Sequence, residues 1–226
     1  MNYGQLKLRA SRLAKLDGWD HAQPQTDWAV NVNRALYLFS WHAEYLYASY
    51  SFVTVAGQAE YPLPNPSDWI RVTDVAYNGA QSLDLTDENI LRGDNKLWHL
   101  APNSSPTRFF ITSPNVLRLY PPPATAGIAV ALRGLRADTA LVLDTDTPGC
   151  PEPFHEGIVL LAAWLHAKTF VRTPEDVAIV ASYYKEAMLH AAECQSYLGK
   201  QASPVIQRYV RREPAERLTL GWYRSP

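Results

Sequence analysis

The 226-residue chain is long enough to bury the core of one or two domains. Hydrophobic residues make up 47% of it and aromatic residues 12%, which excludes an intrinsically disordered protein. The longest apolar run, residues 158–165, is too short to cross a bilayer, and the N-terminus lacks the apolar segment of a signal peptide. We therefore expect a soluble protein that is made in a cytoplasm and has no membrane span.

Charge is distributed unevenly along the chain. The formal net charge is −1, yet residues 1–16 and 200–226 each carry a net charge of +4, which leaves nine more acidic than basic side chains between them. Basic ends on an acidic body indicate ends that reach other surfaces. The alternative is that these terminal charges are simply solvated.

Two helices are predicted before residue 47. The first spans residues 2–16, with Asn2 as its cap and Gln5 three residues later. The second has a broad apolar stripe and leaves further aromatic side chains at Tyr37, Trp41 and Tyr45. Because one partner would not cover this much apolar surface, the second helix is expected either to be central in a bundle or to face another subunit.

At residue 47 the hydrophobic period changes from 3.6 to 2, which indicates strands. Ala56-Gly57 predicts a hairpin or a corner, and Asn78-Gly79 predicts a type I′ turn. The turns are rich in proline and glycine, which favours a small β-sandwich or open barrel. About six or seven strands are expected around a polar insert at 87–96, among them residues 97–100, 108–111, 116–120 and 128–133.

The stretch from residue 151 to residue 198 is predicted to form two long helices joined by a turn. Thr173 is expected to cap the second helix, Pro174 to occupy its first turn and Gly199 to end it. Helices joined by so few residues must lie antiparallel, with their apolar stripes in contact. The stripe expected on the second helix consists of Val177, Ala181, Tyr184, Met188 and Ala191.

Together these elements predict an α+β fold in three parts. Residues 1–46 and 147–199 would form an antiparallel bundle of about four helices, residues 47–146 an inserted β-domain, and residues 200–226 an extended C-terminal tail. The tail contains arginines and scattered aromatic residues without a helical or strand period. Idle disordered segments usually lack such anchors, so we expect the tail to dock on a partner.

No motif in the chain indicates catalysis, and no phosphate-binding loop, nucleophile elbow, zinc-protease motif or CxxC pair is present. Cys150 and Cys194 lack metal-ligand spacing; two free thiols or one buried disulfide are the alternatives. Clustered carboxylates can bind a divalent ion, but capping of a turn and a helix is the simpler interpretation here. We predict no catalytic, cofactor-binding or metal-binding residue and no enzymatic activity. The clustered residues are Asp144, Asp146, Glu152, His155 and Glu156.

Several segments resemble the head-to-tail adaptor proteins of tailed bacteriophages, particularly the head-completion or tail-tubular type of short-tailed phages. AEYPLP at residues 59–64, followed by WIRVTDVAYNG at residues 69–79, resembles the opening β-segment of that family. LRLYPPP at residues 117–123 resembles its strand that ends in prolines, and LDTDTP at residues 143–148 resembles the lead into its paired helices. The order of helices, β-insert, helices and tail extends the resemblance over most of the chain.

This resemblance implies a structural virion protein without cofactors. Such adaptors form a ring, commonly of twelve copies, beneath the portal at the head–tail junction. They receive tail or nozzle proteins and surround the channel through which genomic DNA passes without specific binding during ejection; assembly takes place in the host cytoplasm. In related adaptors a C-terminal extension reaches the portal, and the residues that fit this role by position and chemistry are Ile206, Tyr209, Arg211, Arg212, Trp222 and Tyr223. The residues assigned to contacts between subunits are Tyr37, Trp41, Tyr45, Tyr183 and Tyr184.

Three other functions stay open at the level of the sequence. The first is a tail or neck component without portal contact. The second is a cell-wall-cleaving virion hydrolase with Glu152 or Glu156 as its acid. The third is a nucleic-acid-binding module that acts through the basic first helix and tail, which the acidic body disfavours.

Overall fold

The computed structural model describes residues 1–16, 25–64, 69–79, 81–112, 116–171 and 173–201. These residues contain five α-helices and two four-stranded sheets, which confirms the predicted α+β class. No helix in these ranges is both long and apolar enough to span a membrane. The helices are α1 (Tyr3–Leu16), α2 (Gln25–Ala43), α3 (Glu88–Asp94), α4 (His155–Ala167) and α5 (Pro174–Gln201). The strands are β1 (Tyr47–Val53), β2 (Glu60–Pro62), β3 (Trp69–Tyr77), β4 (Gln81–Ser82), β5 (Asp84–Leu85), β6 (Arg108–Thr112), β7 (Val116–Tyr120) and β8 (Ala129–Arg136).

Helices α1, α2, α4 and α5 share one hydrophobic core. Helix α4 lies at its centre, because all but two of its 13 residues are buried. The Phe154 ring, just before α4, lies 5.6 Å from the Tyr197 ring near the end of α5. Trp164, near the end of α4, lies 5.0 Å from Tyr184 in the first half of α5. The two helices therefore run in opposite directions, as predicted.

Reciprocal hydrogen bonds define where α1 and α5 begin. Asn2 Oδ1 accepts from the Gln5 N–H and Gln5 Oε1 accepts from the Asn2 N–H, both at 2.9 Å. Before α5, the Asp176 N–H donates to Thr173 Oγ1 at 3.2 Å and the Thr173 N–H donates to Asp176 Oδ2 at 3.0 Å. The caps predicted at Asn2 and Thr173 are confirmed, since each pair satisfies N–H groups that have no partner within the helix. The sequence also predicts Thr26 as the cap of α2, which is wrong because α2 begins at Gln25.

The two sheets have the strand orders β1-β8-β3-β4 and β2-β7-β6-β5. Buried residues of both sheets, among them Val75 and Leu119, belong to one cluster, so the sheets share a core. Residues 56–57 connect β1 to β2, which lie in different sheets, so the predicted hairpin or corner is a corner. Asn78 and Gly79 have φ values of 55° and 72°, and both are positive, as the predicted type I′ turn requires.

The polar insert at 87–96, for which the sequence predicts no secondary structure, contains α3. The strand predicted at residues 97–100 is wrong, because residues 98–100 form a 3₁₀ turn. Asp87 caps α3 by accepting from the Ile90 N–H at 2.9 Å. Leu91 and Trp98 are buried together with Phe110, so long-range packing against β6 determines the structure of this polar stretch.

The packed side of α5 also differs from the predicted stripe. Val177, Ala181 and Tyr184 are exposed, whereas Ala191 is buried as expected. Apolar residues occur on every side of α5, so their periodicity does not identify the packed side, and small residues allow the closest approach of α4. The helix also continues beyond Gly199 to Gln201, and α4 ends at Ala167, before the predicted break. The buried residues of α5 are Val180, Tyr183, Ala187, Ala191 and Cys194.

Hydrogen bonds join the end of α2 to the segment that follows β8. The Tyr45 hydroxyl donates to Asp138 Oδ2 at 2.7 Å, and the same carboxylate oxygen accepts from the Gly149 N–H at 2.6 Å. Ser40 Oγ accepts from the Asp138 N–H at 3.1 Å. Burial, followed by the Asp138 charge, raises the pKa of Tyr45, so the hydroxyl stays a donor. This network connects the helical core to the strands.

Candidate functional site

Two carboxylates of the acidic cluster at residues 144–156 form ion pairs with helix α1. Asp144 forms an ion pair with Lys7 at 2.7 Å, and Glu156 forms one with Arg9 at 2.9 Å. The Asp144 carbonyl accepts from the Gly4 N–H at 3.1 Å, so backbone contacts add to the charge pairs. Lys7 and Arg9, two of the four cations of this helix, are therefore paired within the chain rather than directed to another surface. Such exposed pairs add little stability individually, but together they orient α1.

Two further carboxylates of this cluster, Asp146 and Glu152, accept hydrogen bonds from backbone N–H groups and from the N-terminal ammonium. Asp146 Oδ2 accepts from the N–H groups of Val142 and Leu143, both at 2.8 Å, and these bonds lower its pKa. The N-terminal ammonium, 3.1 Å away, lowers the pKa of Glu152. A glycosidase acid needs a raised pKa, so Glu152 lacks that property. The described residues contain no cluster of three or more metal-ligating side chains.

Acidification is expected to destabilise the fold through His155. The ring is buried, with Nε2 2.9 Å from the Cys150 carbonyl oxygen and Nδ1 2.7 Å from the Met1 nitrogen. Burial lowers the pKa of His155 below the usual 6.5, so the unfolded chain binds a proton first as the pH falls. The contribution of the neutral His155 ring to the free energy of unfolding is fully present above pH 6.5. It is lost as the pH falls through the lower pKa of the folded state.

The substitution His155→Gln tests this expectation. Urea unfolding followed by circular dichroism at about pH 7 and about pH 5 should show a smaller loss of unfolding free energy in the variant than in the parent chain. His99→Gln, at an exposed position beside α3, is the control and should keep the parent pH dependence. An equal loss in the His155 variant and the parent would contradict the assignment.

Both cysteines are free thiols buried in the helical core, so the alternative of a disulfide between them is not realised. Burial raises the pKa of Cys194 to about 11 and also raises that of Cys150. Thiols held in the protonated form are poor nucleophiles, so neither cysteine provides reactive chemistry.

One face of α2 exposes large apolar side chains. Val30, Arg34, Tyr37 and Trp41 are spaced at four, three and four residues and therefore lie on one side of the helix. The exposed fractions are 64% for Val30, 46% for Tyr37 and 53% for Trp41. Contiguous apolar surface of this kind marks a contact with another molecule.

This face of α2 continues onto the end of α4 through Lys168. The Lys168 ammonium lies over the Trp164 ring at 4.3 Å, and Trp164 in turn packs against Tyr184. Burial, followed by the charge of Arg34, lowers the pKa of Lys168. The aromatic-basic face, as we define it, consists of Val30, Arg34, Tyr37, Trp41 and Lys168.

A second exposed face lies on α5. Leu189 is 57% exposed, Tyr197 43% and Ile179 36%. Glu186 and Glu193 lie among them, two helical turns apart, and both are exposed. The acidic face of α5, as we define it, consists of Ile179, Glu186, Leu189, Glu193 and Tyr197. The described part of the chain thus carries two apolar faces of opposite charge.

Two concave regions are found beside α3. One, of about 520 Å³, lies where Trp69 and Ile70 of β3 meet Ile90 of α3. The other, of about 540 Å³, gathers cations above Trp98, whose ring lies 4.7 Å from the Arg118 guanidinium. Arg118 is paired with Glu60 at 3.2 Å and Arg92 with Glu88 at 2.6 Å, so most of this positive charge is already compensated.

The comparison with known families shows which family the chain belongs to. The model of the family described as SU10 adaptor protein matches residues 1–217. The chain belongs to the SU10 adaptor protein family. This match confirms the resemblance to phage head-to-tail adaptors and identifies a structural component of the virion. A search among curated proteins found no match.

The aromatic residues predicted to lie between subunits of this adaptor occupy two kinds of position. Tyr37, Trp41 and Tyr184 are exposed and available to a neighbour. Tyr45 and Tyr183 are 8% and 6% exposed, so in the single chain they belong to its core. Their role at an interface stays a prediction for all five.

Sequence reasoning missed all four charged members of the two faces. Arg34, Lys168, Glu186 and Glu193 have no motif, and only their exposure beside apolar residues identifies them. The predicted portal-binding residues of the adaptor lie outside the described residues, and their role stays a prediction. These are Ile206, Tyr209, Arg211, Arg212, Trp222 and Tyr223.

Proposed function

We propose that this adaptor forms a ring of twelve copies beneath the portal, joins the capsid to the tail and surrounds the channel for DNA ejection. The observation that carries the proposal is the family match over residues 1–217. The aromatic-basic face and the acidic face of α5 support it, because each groups several exposed large apolar side chains on one side of a helix. In this proposal the four core helices form an antiparallel bundle, the two sheets form a sandwich, and the adaptor acts without catalysis.

The portal contact in this proposal is made by the C-terminal tail. Helix α5 ends at Gln201, and the 25 residues beyond it carry five arginines, two glutamates and several aromatic residues. Extended segments bind through apolar and arginine anchors in pockets of a partner, and this composition supplies both. The family match extends to residue 217, which includes the first part of the tail.

The channel in this proposal is acidic. Between the two basic ends the chain has nine more acidic than basic side chains, and Lys7 and Arg9 of α1 are already paired with acids. Like charge allows the phosphate backbone to slide past without binding, whereas an unpaired basic groove would hold it. The tail proteins or nozzle proteins would then attach on the side of the ring away from the portal.

Co-expression of the adaptor with the portal protein of the same genome, followed by native mass spectrometry and negative-stain imaging, tests the function. We expect a ring-on-ring particle with equal numbers of both chains, assembled in the cytoplasm and without salt-sensitive binding of duplex DNA. An adaptor that remains separate from the portal but binds tail proteins would instead be a neck component. Clearing of a cell-wall zymogram would favour a virion hydrolase.

A further inference from the structure

We propose that neighbouring copies make a heterologous contact, in which the aromatic-basic face of one copy packs against the acidic face of α5 in the next copy. This inference rests on the proposed ring and specifies the two surfaces that close it. Each copy would then use both faces, one on each side.

Charge complementarity identifies a second copy as the occupant of these faces. The aromatic-basic face contains two cations, Arg34 and Lys168, and the acidic face of α5 contains two carboxylates, Glu186 and Glu193. Arg34 and Lys168 are both exposed, so carboxylates of a neighbouring copy can approach both cations. One chain thus supplies both halves of a complementary pair.

The apolar residues of the two faces also match in character. Tyr37 and Trp41 offer large rings at the aromatic-basic face, and Leu189 and Tyr197 offer apolar surface on α5. Aromatic side chains at the centre of an interface with charged residues around them are the usual arrangement of contacts that carry binding energy. Apolar burial would therefore supply affinity, while the charges would select the correct pairing.

The directions of the two faces favour a heterologous contact over a two-fold one. The aromatic-basic face adjoins Tyr184 through Lys168 and Trp164. At 100° per residue, Tyr184 and Tyr197 lie about 140° apart around α5, so the acidic face points away from the side of α5 that packs against Trp164. A two-fold contact would bring Arg34 and Lys168 against their own copies, which like charge opposes. Heterologous contacts close into rings when the rotation between copies permits it.

Charge reversal tests the pairing in the complex with the portal. The adaptor is added at half the amount that would occupy every binding site on the portals. Lateral contacts make occupation of these sites cooperative, so native mass spectrometry should show portals that carry either no adaptor or a full adaptor ring. Arg34→Glu with Lys168→Glu, or Glu186→Lys with Glu193→Lys, should reduce the fraction of full rings by at least about tenfold and give a statistical distribution. Combining all four substitutions in one chain should restore cooperative filling, because the reversed faces are again complementary.

A matched control carries the same change of charge elsewhere. Arg92→Glu with Lys96→Glu, beside α3, should keep cooperative filling, and thermal unfolding should verify that every variant folds. Cooperative filling by both single-face variants, or no recovery in the fourfold variant, would overturn the pairing while the adaptor function stands. A random distribution of the parent chain over the portal sites would also overturn the proposed pairing of the two faces. Failure of the parent chain to attach to the portal would instead refute the proposed function, and the pairing with it.

Discussion

A chain truncated after residue 202 is expected to keep its fold and to lose its attachment to the portal. The hydrophobic clusters of the described residues draw on side chains up to Leu198 and no further. Helix α5 ends at Gln201, so the truncation removes none of its backbone hydrogen bonds. The lost segment contains the aromatic and arginine anchors of the tail, each of which typically contributes a few kcal/mol in an interface. We therefore expect affinity for the portal to fall by at least about 100-fold.

A second truncation provides the matched comparison for the tail. Ending the chain after residue 217 removes Trp222 and Tyr223 but keeps Ile206, Tyr209 and the span that matches the family. We expect intermediate attachment, because part of the anchor set remains. Co-sedimentation with portal particles measures both variants, and circular dichroism verifies their folding. Full attachment of the chain that ends at residue 202 would refute the docking role of the tail.

Replacing Gly157 by alanine is expected to lower the free energy of unfolding by about 1–3 kcal/mol. A Cβ atom at this position of α4 would lie 2.5 Å from Phe39 Cε2 on α2 and 2.9 Å from His190 Cβ on α5. Phe39 is fully buried, so its ring cannot move aside without disturbing the core. The clash should exceed the gain of about 1 kcal/mol that alanine normally brings to a helix interior.

Gly199→Ala is the matched control for this prediction. Gly199 also lies in a helix, but a Cβ atom there would meet nothing within 4 Å. Its replacement should leave stability unchanged or raise it by up to about 1 kcal/mol, because alanine loses less backbone entropy on folding. Urea unfolding measures both variants. A Gly157 variant as stable as the Gly199 variant would contradict the close approach of α2, α4 and α5.

The pairing of α1 with the acidic segment changes the interpretation of the two basic ends. The sequence shows equal net charge at residues 1–16 and 200–226, so both ends are equally suited to reach a partner. Lys7 and Arg9 are paired with Asp144 and Glu156, which are more than 130 residues away in the chain. The C-terminal tail is therefore the basic end that we propose for contact with the portal.

The sequence was sufficient to predict structural features that depend on residues only a few positions apart. The reciprocal caps at Asn2 and Thr173 and the turn at Asn78-Gly79 follow from hydrogen bonds or φ preferences within three residues. The α+β class and the opposite directions of α4 and α5 follow from periodicity and a short connection. The resemblance to phage adaptors came from short segments at residues 59–64, 69–79, 117–123 and 143–148.

The remaining features of the fold were determined only by the tertiary structure, because they depend on contacts between residues that are far apart in the chain. Helix α3 and the turn at Trp98 exist because Leu91 and Trp98 pack against Phe110. The packed side of α5 was ambiguous since apolar residues surround that helix, and contact with α4 selected the side with Ala187 and Ala191. Strand order likewise has no local signal, since it arises only when separate segments meet in the folded chain. The exposure of the two charged faces depends on which sides of α2 and α5 the core covers.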